Sequence, residues 1–154
     1  FAIGFVQANG HTNVIPESIE LKGTFRTMNE EFRQLAHEKM QQIASEIAVE
    51  YSASVNFRIM KGYPSLYNNE PLTKEAISIA KEYMGKENVI ALNMRMTAED
   101  FAYYSHEVPS CFYRLGTANV SKGITHGLHT SRFNIDEEAL KVGMGLMAYL
   151  TIKN

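Results

Sequence analysis

The chain has 154 residues and a mass of 17.4 kDa, about the length of one average domain. Its 15 Lys and Arg against 17 Asp and Glu leave a net charge of −2 and a pI near 6.2, which gives no electrostatic footprint for nucleic acid. Hydrophobic residues at 45% exclude bulk disorder, no apolar run approaches the roughly 18 residues of a membrane helix, and the single cysteine, Cys111, excludes both an internal disulfide framework and a Cys-rich zinc module.

The opening run Phe1-Ala2-Ile3-Gly4-Phe5-Val6 reads as a strand already in progress, with neither an initiator Met nor the basic start of a signal peptide. The expectation is a processed chain or a fragment of a longer one. Asn9-Gly10 marks a turn. From Ser18 to Arg26 polar and apolar residues alternate, so Ile19, Leu21 and Phe25 share one face, and a second strand with that face buried is predicted. Thr27 or Asn29 then offers a cap, with Glu30 and Glu31 at the positive end of a helix dipole. Phe32, Leu35, Ala36, Met40, Ile43, Ala44, Ile47 and Ala48 recur at helical spacing as far as Tyr51. His37, on that helix, reads as a surface residue. Ser54 to Met60 alternates again as a third strand. Residues 1–62 are therefore read as strand, strand, helix, strand, an incomplete split β-α-β sandwich.

Gly62 to Pro71 is rich in turn formers and reads as a hinge. A helix is predicted from Leu72 to Met84, closed by Gly85, with Ala76, Ile77, Ile79, Ala80 and Tyr83 on its apolar face. Asn88–Leu92 reads as a short strand and Ala98–His106 as a short helix capped by Thr97. Ser110–Leu115 is a continuous apolar run that suits a buried strand. After a loop bearing Gly and His, Asp136-Glu137-Glu138 caps a final helix. Residues 63–154 thus alternate helix and strand, an α/β pattern.

Chemistry is sparse. His129 lies in a loop ahead of a capped helix, and a neutral imidazole is a good ligand for zinc, cobalt or manganese. A catalytic zinc takes about three protein ligands, so on spacing alone His129 reads as a loop imidazole bonded to a backbone carbonyl. His126 lies three residues earlier; His11, His37 and His106 are weaker candidates. Glu99 and Asp100 read first as acids at a helix start, and secondarily as carboxylates aimed at a metal or its substrate. Asn13 fits an Asx-turn. Arg26, at a strand end, is either exposed or a planar fork for a substrate carboxylate. The glycines form no phosphate-cradling loop.

Taken in order, Asn13-Val14-Ile15-Pro16, Leu21-Lys22-Gly23-Thr24-Phe25-Arg26-Thr27, Gly62-Tyr63-Pro64, Ala98-Glu99-Asp100-Phe101-Ala102-Tyr103-Tyr104 and Leu128-His129-Thr130-Ser131-Arg132-Phe133-Asn134-Ile135-Asp136-Glu137 resemble the C-terminal portion of the metal-dependent amidohydrolases of the aminoacylase and carboxypeptidase G type. The branch resembled most includes hippurate hydrolases and other N-acyl-amino-acid amidohydrolases. The resemblance implies a fold of α/β with α+β. Residues 1–62 would be part of a ferredoxin-like lid or dimerisation domain, and residues 63–154 the C-terminal part of a metallopeptidase-like catalytic domain. It implies two divalent metal ions, zinc or manganese, per intact active site, with His129 as the C-terminal ligand. The ions polarise an amide carbonyl and activate water, and a Glu acts as base. It places Asn13 and Arg26 against the substrate carboxylate, partly across a homodimer, and Glu99 near the active-site wall. The substrates implied are N-acyl amino acids or small peptides.

The chain departs from the family pattern in one respect above all. The other metal ligands and the base Glu belong to an N-terminal half with no counterpart here, so the fragment is expected to be inactive alone. Cys111 lies away from the ligand motif, and His11 stands where relatives carry a small residue. Two other readings compete: a stand-alone dimerisation or binding module, and an unrelated α+β nucleic-acid-binding sheet, which the lack of basic excess opposes. A lone free cysteine points to a reducing compartment, hence the cytoplasm.

Overall fold

The computed structural model describes residues 1–153. They form two strands, β1 (Ala2–Ala8) and β2 (Ile19–Thr24), and four α-helices: α1 (Glu30–Glu50), α2 (Glu70–Met84), α3 (Ala102–Glu107) and α4 (Glu138–Lys153). The chain is mixed α/β and divides into two compact units, Phe1–Ser65 with Arg95–Ala98, and Leu66–Met94 with Glu99–Asn154.

In the first unit β1 and β2 pair antiparallel, with Val6 opposite Leu21 and Ala8 opposite Ile19, and the register shifts between Ile3 and Phe5. Pairing puts Val6, Ala8, Ile19 and Leu21 on one apolar face and Phe5, Gln7, Glu20 and Lys22 on the other. The Lys22 ammonium sits 4.7 Å from the Phe5 ring centre and 3.1 Å from Glu20. The apolar face is not buried as its alternation predicts: Val6 is 65% exposed and Ile19 and Leu21 are each 59% exposed. Asn29 caps α1, its side chain accepting from Phe32 N at 2.8 Å, while the Thr27 hydroxyl accepts from Asn29 N. Arg33, Ala36, His37, Met40, Ala44 and Ala48 form the half-covered stripe of α1. His37 is not a surface residue; it is half-buried and meets Phe25 edge-on at 6.2 Å. The expected third strand, residues 54–60, joins no ladder.

In the second unit α2 packs on α4. Ile79, Ala102 and Leu146 are its buried apolar residues, and Ile77, expected to face inward, is 41% exposed. Gly145 lets the α2 side chain Tyr83 lie directly on α4, because a Cβ there would collide with the Tyr83 hydroxyl. Tyr83 in turn stacks on Tyr149 at 5.2 Å, and Tyr149 and Lys153 both donate to Glu82. The expected strands at 88–92 and 110–115 form no ladder either. Lys86–Asn88 is a 3-10 turn instead.

The 110–115 run satisfies its backbone in another way. The Asn68 amide donates to Phe112 O at 2.9 Å and accepts from Phe112 N at 2.8 Å, and Asn69 N donates to Ser110 O at 2.8 Å. One side chain thereby copies the two hydrogen bonds of a neighbouring strand, as buried backbone groups require partners. Thr97 does not cap α3, which begins after Phe101 with no side-chain cap.

Candidate functional site

Asn13 and Arg26 belong to the first unit. His11 and Val14 form an isolated bridge, with His11 N donating to Val14 O at 3.1 Å and Val14 N to His11 O at 3.0 Å. Asn13 therefore sits at the exposed tip of a two-residue turn. Arg26 lies two residues beyond β2 rather than at its end. It donates to Met96 O at 2.8 Å, which ties residues 95–98 to this unit.

Glu99 and His129 belong to the second unit. The Glu99 carboxylate accepts from Phe101 N at 3.4 Å, and its carbonyl from Ala102 N at 3.3 Å, so it opens the turn into α3. His129 is exposed and adopts φ 64°, the left-handed region that a side chain with a Cβ resists. Around it the loop is folded on itself: the Thr130 hydroxyl donates to Gly127 O at 2.9 Å and Phe133 N to Thr130 O at 3.1 Å. Within neither unit does a hydrogen bond or ion pair join the two candidates.

The base of the His129 loop holds the residues that sequence reading missed. Asn119 and Ile124 exchange backbone hydrogen bonds, each 2.9 Å, and Asp136 N donates to Thr117 O at 2.8 Å. The Asp136 carboxylate accepts from Asn119 Nδ2 at 2.5 Å and from Lys122 Nζ at 2.7 Å. The Lys122 bond, then the Asn119 bond, hold the Asp136 carboxyl below its ordinary range, and the same ion pair pushes the Lys122 ammonium up. Asp136 reads in sequence only as a helix cap. The spacing from Asn119 gives no local signal, because both ends meet only once the loop closes.

Among the described residues no group of three or more His, Cys, Asp or Glu side chains is placed to hold a metal ion. His129 alone does not make a centre, since a catalytic zinc takes about three protein ligands. An open depression of about 600 Å³ in the second unit is bordered by Tyr83, Leu115, Ala139 and Val142, and neither Glu99 nor His129 lines it. Among the described residues no helix is long and apolar enough to cross a membrane.

This mixed α/β chain has counterparts among hydrolases. The chain is 31% identical over 153 residues to thermostable carboxypeptidase 1 of Saccharolobus solfataricus, covering 99% of this chain and 38% of that protein. It is 35% identical over 147 residues to N-acetylcysteine deacetylase of Bacillus subtilis, covering 96% and 37%. The crystal structure of the Bacillus subtilis YXEP protein, a dinuclear metal-binding peptidase of the M20 family, superposes with a TM-score of 0.78 at 32% identity. The match covers 98% of this chain and 40% of that one. The model of peptidase family M20/M25/M40 matches residues 4–153, and the chain belongs to that family. It spans less than half the length of these relatives.

Proposed function

We propose that this chain is the C-terminal part of a metal-dependent amidohydrolase that cleaves the amide bond of N-acyl amino acids or small peptide-like substrates. The observation that carries the reading is His129, an exposed imidazole held in a left-handed turn. Conformations of that kind persist where the surroundings impose them and cluster at functional sites. Its donor chemistry fits one position on zinc or manganese. The other ligands belong, on this reading, to the part of the relatives' length that this chain does not span. Residues 1–62 are part of a ferredoxin-like lid through which a homodimer forms, and residues 63–154 are the end of the catalytic domain.

Arg26 supplies a planar cationic fork for a substrate carboxylate, with Asn13 beside the same end of the substrate and Glu99 at the wall of the site. The enzyme works in the cytoplasm, where Cys111 stays reduced. In the complete protein His129→Ala is expected to abolish both hydrolysis of an N-acyl amino acid and retention of the metal through gel filtration. Ordinary turnover with full metal content in that variant overturns the assignment.

The bare apolar face of the β1–β2 hairpin favours a second reading, a stand-alone dimerisation or binding module. A stable dimer formed by the 154-residue chain in the absence of any hydrolytic partner supports it.

A further inference from the structure

The loop that carries His129 is anchored only at its base. Among the described residues, the hydrogen bonds of residues 125–135 run within that stretch: Thr130 Oγ1 to Gly127 O, Phe133 N to Thr130 O and Ile135 N to Asn134 Oδ1. What closes it are the Asn119–Ile124 bridge, the Asp136 N to Thr117 O bond, and the Asp136 carboxylate gripped by Asn119 and Lys122. Asn119 serves both sides of this knot, since its side-chain oxygen accepts from Ser121 Oγ at 2.7 Å and from Lys122 N at 3.3 Å. The Asp136 side chain is 15% exposed, far less than the 52% of its lysine partner.

We infer that Asp136, with Lys122 and Asn119, is a positioning device: by pinning both ends of the loop together it forces the chain reversal that places His129 in its left-handed conformation. A segment whose ends are fixed close together must turn sharply within it, and His129 is the residue where the left-handed φ falls. Released at its base, the loop relaxes and His129 returns to a negative φ, because crowding between Cβ and the carbonyl disfavours the left-handed form. The functional weight of this device rests on the reading of His129 as a metal ligand; its existence does not.

The test uses the complete protein, freed of metal, and the scalar couplings at His129, which report the sign of φ. Asp136→Ala and Lys122→Met are expected to remove the left-handed signature, and Lys122→Arg to keep it. Lys122 is exposed, so its variants carry the test if Asp136→Ala fails to fold. Asp136 also accepts from Glu138 N at 3.4 Å, so a role confined to capping α4 predicts a different pattern. In that case resonances from Ala139 to Leu146 move while the His129 couplings stay. That pattern, or unchanged couplings in both variants, overturns the proposal. Full metal retention by His129→Ala in the complete protein sinks the ligand reading and leaves these couplings as the judge of the clamp.

Discussion

A histidine at φ 64° holds a backbone that a glycine would adopt freely. The cost of that conformation for a residue with a Cβ is about 1 kcal/mol. His129→Gly is therefore expected to stabilise the chain by about 1 kcal/mol in urea denaturation, while the complete enzyme loses its activity. Ser52, at φ 54° just past the end of α1, is the control. Ser52→Gly gives a gain of similar size and leaves activity unchanged. A loss of stability in both variants would show that the loops depend on more than their φ values. At this scale the sequence was legible in type but not in geometry. It marked His129 through the motif it sits in, yet the positive φ, the half-buried His37 and the Asp136 knot all depend on residues far apart in the chain.

Elements followed their local signals where those signals were local. The caps of α1 and α2 are asparagines in both cases, Asn29 and Asn69, each accepting from the backbone three residues on. Asn29→Ala should cost about 1 kcal/mol, read as a lower midpoint in thermal melts with α1 fraying first by hydrogen exchange. The predicted strands at 54–60, 88–92 and 110–115 did not form ladders, because a strand is completed by a partner and not by its own sequence. Asn68 makes up for one missing partner. Asn68→Leu leaves both the N–H and C=O of Phe112 unpaired in a half-buried place, and about 2 kcal/mol of stability is expected to go. If urea titration finds the variant as stable as the parent, that pairing is not what holds the 110–115 run.

At the scale of the whole chain, two carboxylates, each paired with a lysine, contribute to the response to pH. Glu82 is held below its ordinary value by Tyr149 first and Lys153 next, and Asp136 by Lys122 first and Asn119 next, with Glu137 and Glu138 also facing Lys122. Carboxylates with depressed pKa values stabilise the fold above the unfolded carboxylate range, and this contribution is lost as pH falls through the folded values. The raised Lys122 and Lys153 contribute below the ordinary lysine range and lose that contribution only as pH rises past it. The two carboxylates are therefore expected to make stability fall in acid. Asp136→Asn should flatten part of the acid limb of a melting-temperature profile. The bare face of Val6, Ile19 and Leu21 predicts binding of an apolar dye by the isolated chain, reduced by Ile19→Lys. The sequence by itself determined the helices, a cap for α1, the segments of β1 and β2 and, through the order of its motifs, the family, because periodicity, local capping and motif spacing are written within short stretches of chain. Tertiary structure alone decided which faces are covered, which strands find partners and how the His129 loop is tied, because each of these depends on groups that meet only after the chain has closed on itself.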